Sequence, residues 1–206
     1  MAAPITHIVL ANKIFSKEFS NLSKEKFFVG TSFPDIRYLG LIERKETHYI
    51  NLTLEEIKNV TNDAIAGMMF HSLVDEVREK FMEETGIYKV IAKNGISIQS
   101  LKLFEDEILY GQIKDWESVA AYFNSILPEE SAYPISEDGI TRWHNVLKTY
   151  FTEGPDKESR KLLFKEINFS DENVSKLEEN IADMKQNSKI IEIVNNFYNK
   201  FGEEIK

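Results

Sequence analysis

Hydrophobic positions recur at three- and four-residue intervals along most of the chain, which is the spacing of one face of an α-helix. The longest such pattern opens at Thr53, which forms a capping box with Glu56, and continues to about Glu84, just before Gly86. Its apolar face is wide, because Phe70, Val74, Val77 and Phe81 add to the three- and four-residue steps. The pattern therefore predicts a central, largely buried helix.

Capping residues, glycines and prolines divide the rest of the chain into further elements. Thr6 is the predicted cap of a first helix, and Ser23 starts a second that ends at Gly30. Segment 31–40 holds Pro34 and ends in glycine, so we expect an ordered loop there. The segment 87–92, followed by the turn signal Asn94-Gly95, is compatible with an extended conformation. Further helices are predicted over 97–110, 115–126, 136–151 and 157–167, and a long amphipathic helix over about 171–200 on the outside of the bundle.

These elements predict one all-α domain, a multi-helix bundle over residues 1–206, because no linker divides the chain. Acidic side chains (34) outnumber basic ones (25), which gives a net charge of −9. This charge argues against binding of nucleic acid, whose affinity for proteins comes mainly from lysine and arginine. The chain has no cysteine, so thiolate chemistry is excluded. The amino terminus lacks the basic region of a signal peptide, and no apolar run is long enough for a membrane span. We therefore expect a cytoplasmic protein, with signal-independent export left open.

Three of the four histidines alternate with aspartates early in the chain: His7, Asp35, His48, His71 and Asp75. Imidazole nitrogens and carboxylate oxygens are good ligands for Zn²⁺ and similar ions. His71 and Asp75 are four residues apart and share one helix face, where an ionised carboxylate is costly unless it is paired or metal-bound. The series predicts a metal site; the alternative for His71 and Asp75 is a hydrogen bond that joins two helices.

The same residues carry a resemblance to a known family. His7 with Ala11, Phe33-Pro34-Asp35, Thr47-His48 and the His71-x-x-x-Asp75 pair resemble the metal-binding pattern of zinc-dependent phospholipase C, over about residues 1–80. That family has an all-α fold that it shares with single-strand nucleases of the P1 type. The resemblance implies that Asp35, His48, His71 and Asp75 bind one zinc and that His7 with Asp75 contributes to another, with one to three ions in all.

The family's later ligands, a further histidine and a His-x-x-x-Glu pair, have no match here. The remaining histidine, His144, is followed four residues later by Lys148, and we assign it with Trp143 mainly to the core. Glu105, on the apolar stripe of a helix, is the candidate ligand in place of a missing imidazole. The site would then be richer in oxygen and would suit Mn²⁺, Mg²⁺ or Fe as well as Zn²⁺. The alternative for Glu105 is a surface acidic cluster with Asp106.

We therefore expect a metal-dependent hydrolase, similar to phospholipase C, of a phosphodiester or phosphomonoester. Bound metal would lower the pKa of water to about 7, and Asp35 or Glu105 would orient that water. Arg37 and Tyr38 are the candidate residues for binding a small phosphate ester or phospholipid head group, and Arg78 is the expected partner of Asp75. Two alternatives remain: a non-catalytic helical protein that keeps one structural metal and binds a partner, and a nuclease-like enzyme that differs in its substrate.

Overall fold

The computed structural model describes residues 2–91, 94–167 and 169–206, and within these ranges the chain forms α-helices and no β-strand. The all-α prediction is confirmed. The α-helices are α1 Pro4–Glu18, α2 Lys24–Ser32, α3 Arg44–Thr47, α4 Leu54–Lys58, α5 Asp63–Glu84, α6 Gly95–Leu109, α7 Trp116–Ala121, α8 Pro128–Ser131, α9 Glu137–Glu153, α10 Lys157–Glu166, α11 Asp171–Lys185 and α12 Ser188–Glu204. Short 3₁₀ helices cover Phe33–Leu39, Ile87–Lys89, Tyr110–Gln112 and Tyr122–Asn124.

Helix α5 lies at the centre and packs against α1, α2, α4 and α12. Its closest neighbour is α2, because two glycines let the backbones touch. A Cβ atom on Gly30 would lie 2.0 Å from the Ala64 carbonyl oxygen, and one on Gly67 would lie 2.1 Å from the Phe27 carbonyl oxygen. Only glycine tolerates such an approach. The contact sets the end of α2 directly beside the middle of α5, where His71 lies.

The long helix predicted from Thr53 to Glu84 is in fact two helices. The Thr53–Glu56 capping box is present, but α4 ends at Lys58. Helix α5 then starts after Asn62, whose side chain accepts a hydrogen bond from the Ile65 amide at 3.0 Å. An asparagine side chain that caps a new helix competes with continuation of the previous one, and an apolar period does not reveal that break.

Segment 31–40 is also more helical than predicted. Helix α2 continues to Ser32, and the residues from Phe33 to Leu39 form a 3₁₀ helix that stops at Gly40, which has a φ of 73°. Pro34 falls in the first turn of that 3₁₀ helix, where its missing N–H is not needed. The consequence is that Asp35 projects from a short rigid turn.

The predicted single helix over 171–200 is likewise two helices, α11 and α12, because Asn187 caps the second one through the amides of Lys189 and Ile190. Helix α12 packs on α5: the ring of Phe197 lies 5.2 Å from that of Phe81, and the ring of Phe201 lies 6.1 Å from that of Phe70. This helix therefore closes the core behind α5 and exposes its other face.

Other boundaries differ less. Helix α1 starts at Pro4 and not at a Thr6 cap, and Asn94 caps α6, which starts two residues before Ser97. The helix predicted over 115–126 shortens to α7 and a 3₁₀ turn. Segment 87–92 begins as a 3₁₀ turn, and residue 92 lies outside the described residues. Within the described ranges, no helix has the length and apolar character needed to cross a membrane.

Candidate metal centre

Side chains from four elements meet in one buried cluster, which we call the His/Asp centre. Helix α1 supplies His7, the 3₁₀ helix after α2 supplies Asp35, the end of α3 supplies His48, and α5 supplies His71 and Asp75. The exposed fractions of these side chains are between 1% and 4%. Residues that are up to 68 positions apart, from His7 to Asp75, are thus brought together as the sequence pattern predicts.

The distances in the centre suit a small cation. Oδ2 of Asp75 lies 3.7 Å from Nε2 of His48 and 3.8 Å from Nε2 of His71. Oδ1 of Asp35 lies 3.9 Å from Nε2 of His71. A tetrahedral Zn²⁺ with ligand bonds of about 2.1 Å holds its ligand atoms about 3.4 Å apart, so these three distances are slightly longer than those around a bound ion.

Hydrogen bonds to neighbouring residues fix the tautomer of His71. Its Nδ1 atom lies 2.8 Å from the carbonyl oxygen of Thr31, which can only accept, so Nδ1 carries the hydrogen. The lone pair is then on Nε2, the atom that faces the two aspartates. This buried Nε2 atom has no hydrogen-bond partner within the described part of the chain.

His48 is oriented in the same way. Its Nδ1 atom lies 3.0 Å from the hydroxyl of Thr47, and that hydroxyl can donate its own hydrogen to the Pro34 carbonyl oxygen, 3.3 Å away. When the hydroxyl donates to Pro34, Nδ1 of His48 is the donor and Nε2 keeps a lone pair; this Nε2 atom has no hydrogen-bond partner among the described residues. A histidine that donates through one nitrogen and presents the other without a partner has the arrangement of a metal ligand.

His7 occupies the other side of Asp75. Its ring stacks on that of His71, with centroids 3.8 Å apart, and its Nε2 atom lies 3.4 Å from Oδ1 of Asp75. His71 has only one free nitrogen, whereas the two oxygens of Asp75 face different sides. The ligand atoms form two overlapping groups that share His71: Asp35, His48 and His71, and His7, His71 and Asp75. Either group can contribute to a metal site, and Oδ1 of Asp75 on the His7 side also accepts a hydrogen bond from the Ala2 amide at 2.8 Å.

The protonation states in the centre suit metal binding. Burial, reinforced by the charge of His71, lowers the pKa of His48 to about 3. Burial and His7 lower the pKa of His71 to about 4. Burial alone would raise the pKa of Asp75, but the nearby His7 and His71 outweigh it and bring that pKa well below its usual value. At neutral pH these imidazoles are neutral and the carboxylate is charged, as metal ligands must be.

Two arginines lie at the rim of the centre. An Arg37 nitrogen lies 3.5 Å from Oδ1 of Asp35, and its guanidinium lies over the ring of Tyr38 at 4.0 Å. An Arg44 nitrogen lies 3.4 Å from Oδ2 of Asp75, and the Arg44 side chain is 47% exposed. Arg37 and Tyr38, the predicted substrate-binding residues, therefore lie beside the cluster. Burial raises the pKa of Tyr38, so its phenol stays protonated at neutral pH.

Two openings reach the centre. A cavity of about 150 Å³ is lined by Asp35, Tyr38 and Lys102 together with apolar side chains of α6, α9 and α10. A more open cleft of about 350 Å³ is lined by Arg44, Asp75 and Lys102 with three further residues, Glu76, Glu79 and Ile98. We call these the apolar cavity and the polar cleft.

Glu105 is not where the sequence analysis expected it to act. Both of its carboxylate oxygens accept hydrogen bonds from the Arg78 guanidinium, one of them at 2.7 Å from Nε, and both side chains are fully buried. Arg78 thus pairs with Glu105 and not with Asp75, because it lies one turn farther along α5, where that helix faces α6. These contacts do not support Glu105 as a metal ligand or as a group that orients water.

Glu105 and Asp106 do not form a surface cluster either, since both are fully buried. Asp106 accepts hydrogen bonds from the Thr6 amide and hydroxyl, both at 2.7 Å, and from the Ile5 amide at 3.2 Å. These are unpaired donors at the start of α1. Asp106 therefore anchors the helix that carries His7.

His144 lies in the core, as its main assignment predicted. Its Nε2 atom lies 2.7 Å from the carboxylate of Glu130, and neighbouring Trp143 donates to the Ser32 carbonyl oxygen at 3.1 Å. The sequence analysis missed Lys102, a 3%-exposed lysine on α6 that lines both openings. Its signal was available: it interrupts the apolar run Leu101, Leu103 and Phe104 on a helix that packs against α1.

Comparison with known proteins gives no relative: the chain matches no protein-family model, no curated protein and no solved structure. The resemblance to zinc-dependent phospholipase C therefore rests on the pattern of residues alone and stays a prediction.

Proposed function

We propose that the protein is a metal-dependent hydrolase of a phosphodiester or phosphomonoester. The observation that carries the proposal is the pair of buried Nε2 atoms, on His48 and His71, which face Asp35 and Asp75 without hydrogen-bond partners among the described residues. Leaving buried polar atoms unsatisfied costs free energy, so a ligand that satisfies both is the simplest explanation. Zn²⁺ suits two imidazoles with two carboxylates, and Mn²⁺, Mg²⁺ or Fe are the alternatives.

Each group has a distinct role in this proposal. Asp35, His48, His71 and Asp75 hold the ion, which when bound would polarise a phosphoryl oxygen and lower the pKa of water. The two oxygens of Asp35 allow one to bind the ion while the other orients a water molecule. Arg37 and Arg44, which lie beside the two aspartates, are placed to bind non-bridging phosphate oxygens, and a guanidinium can do so with two hydrogen bonds.

The dimensions of the openings favour a small substrate. The polar cleft, of about 350 Å³, is at the lower end of the volumes of small-molecule sites. A net charge of −9 opposes the binding of a long nucleic acid, whose affinity comes from many lysines and arginines. A small phosphate ester needs only the few cations at the rim.

A second candidate is a non-catalytic protein that keeps one structural metal and binds a partner. The observation that favours it is the burial of all five side chains of the centre. A structural ion is closed by protein ligands, whereas a catalytic one keeps a position for water. A crystal structure of the zinc-bound protein would separate the two candidates by the number of protein ligands.

The direct test uses protein purified without chelator and without an affinity tag that binds metal. Elemental analysis gives the bound metal, and hydrolysis is then measured on phospholipids, nucleotides and aryl phosphates. We expect activity that a chelator removes and that Zn²⁺ or Mn²⁺ restores. If fully metallated protein hydrolyses none of these substrates, the hydrolase proposal is wrong and the second candidate replaces it.

A further inference from the structure

Lys102 is unusual among the buried charged side chains. It is 3% exposed, yet its amine makes no hydrogen bond or ion pair with any residue that the structure describes. By contrast, buried Arg78 donates hydrogen bonds from Nε and Nη2 to the two carboxylate oxygens of Glu105. The carboxylates of Asp35, Asp75 and Glu105 act electrostatically on the Lys102 amine, and the side chain lines two openings, so a ligand that enters either opening can reach it.

The position of Lys102 indicates where that ligand lies. The side chain lines the apolar cavity together with Asp35 and the polar cleft together with Asp75. It is therefore placed between the two openings, beside the carboxylates that belong to the His/Asp centre. A molecule in either opening can therefore contact this side chain.

We propose that Lys102 is an anion-binding residue whose amine holds an oxygen of a phosphoryl group bound at the His/Asp centre. This inference rests on the proposed function, which it deepens by naming the group that recognises the substrate. Lys102 comes from α6, whereas Arg37 and Arg44 come from the segment between α2 and the end of α3, so the cations approach the ligand from different sides. Such an arrangement suits an anion with several oxygens, a phosphoryl group, better than a carboxylate.

The surroundings of the amine agree with this role. Burial, with the charge of Arg78 nearby, lowers the pKa of Lys102, while Asp35, Asp75 and Glu105 act in the opposite direction. A cation bound between Asp35 and Asp75 would neutralise two of these three carboxylates. The lysine would then be the positive group left for an incoming anion, and a bound phosphoryl group would compensate it.

The test measures binding of inorganic phosphate to the zinc-bound protein by calorimetry, and zinc content in parallel. Lys102→Met removes the charge and keeps an unbranched apolar side chain, and Lys102→Gln removes the charge but stays polar. The matched control is Lys80→Met, which removes an exposed charge from α5, the helix of His71 and Asp75.

We expect both Lys102 variants to keep zinc and to bind phosphate about tenfold to a hundredfold more weakly, as for loss of a hydrogen bond to a charged group. The control should match the wild type.

The inference is wrong if both Lys102 variants bind phosphate with wild-type affinity, or if the wild type binds acetate as tightly as phosphate. It is also wrong if both variants fail to fold, because the amine would then have a structural role. Failure of the proposed function looks different. In that case the wild type binds zinc, and phosphate through Lys102, but hydrolyses no phosphate ester.

Discussion

We compare His71→Ala with His144→Ala. The comparison shows whether each histidine binds metal or only supports the fold. Zinc that binds only the folded protein raises the free energy of unfolding, by about 2.7 kcal/mol at a free concentration one hundred times its Kd. Loss of a group that merely supports a ligand weakens metal binding tenfold to a hundredfold. Loss of His71 itself should cost at least this much, so the zinc increment should fall to about 1.4 kcal/mol or less, and to about 0.4 kcal/mol or less if the loss of affinity is a hundredfold or more.

His144→Ala should behave in the opposite way. It removes the hydrogen bond to Oε1 of the buried Glu130, whose other oxygen keeps the Leu127 amide, and it leaves a cavity, changes that together cost about 2 to 5 kcal/mol. The free energy of unfolding should therefore fall by this amount with and without zinc, while the zinc increment stays near about 2.7 kcal/mol. His144 lies among Phe123 and Glu130, away from the His/Asp centre.

The measurement is urea unfolding of both variants and the wild type, each with and without zinc at the same free concentration. Elemental analysis of the same samples gives the metal content. Equal loss of the zinc increment in both variants would mean that His144 serves the centre, and an unchanged increment in His71→Ala would remove His71 from the ligand set. Either result refutes the geometric reasoning.

Three further predictions follow from other contacts. Glu105→Ala should lower the free energy of unfolding by about 3 to 5 kcal/mol in chemical denaturation, because Arg78 loses its buried partner. Its zinc content should stay unchanged, and loss of zinc would show that Glu105 is a ligand. The metal-free protein should lose stability as the pH falls from about 6.5 towards 4, because His48 and His71 become protonated in the unfolded chain but stay neutral in the folded one. A free energy of unfolding that does not change over this pH range would contradict the lowered pKa values. Gly67→Ala should lower the free energy of unfolding by about 3 kcal/mol, since its Cβ would meet the Phe27 carbonyl. The control Gly202→Ala, which has open space around its Cβ, should raise the free energy of unfolding by about 0.5 to 1 kcal/mol. Equal effects of the two substitutions would show that α2 and α5 are not in contact at Gly67.

The helical fold could be predicted from the chain because its signals are local. Apolar periodicity and the caps at Ser23, Asp115 and Ser136 locate helices without any knowledge of tertiary contacts. The two cases in which one helix was predicted and two are present have a common cause. At Asn62 and Asn187 an asparagine caps a new helix inside an apolar pattern that continues through it, so periodicity alone joins two helices into one.

The ligand series could be predicted because imidazoles and carboxylates are few in apolar surroundings, but its polar neighbours could not. Arg78 has Asp75 one turn before it on α5, and the sequence therefore suggested that pair. The actual partner is Glu105, on a different helix, and the choice depends on how α5 and α6 pack. Lys102 interrupts an apolar run in the sequence, but only the packed fold shows that its side chain lines the same openings as Asp35 and Asp75.

The contact between α2 and α5 connects the fold to the chemistry of the site. Gly30 lets α2 approach α5 so closely that the carbonyl of the next residue, Thr31, lies 2.8 Å from Nδ1 of His71. That carbonyl fixes the hydrogen on Nδ1 and leaves the Nε2 lone pair facing Asp35 and Asp75. A Gly30→Ala variant would force the helices apart, and this hydrogen bond would lengthen with them. The glycine is therefore needed both for packing and for the tautomer on which metal binding depends, and its replacement should lower zinc affinity together with stability.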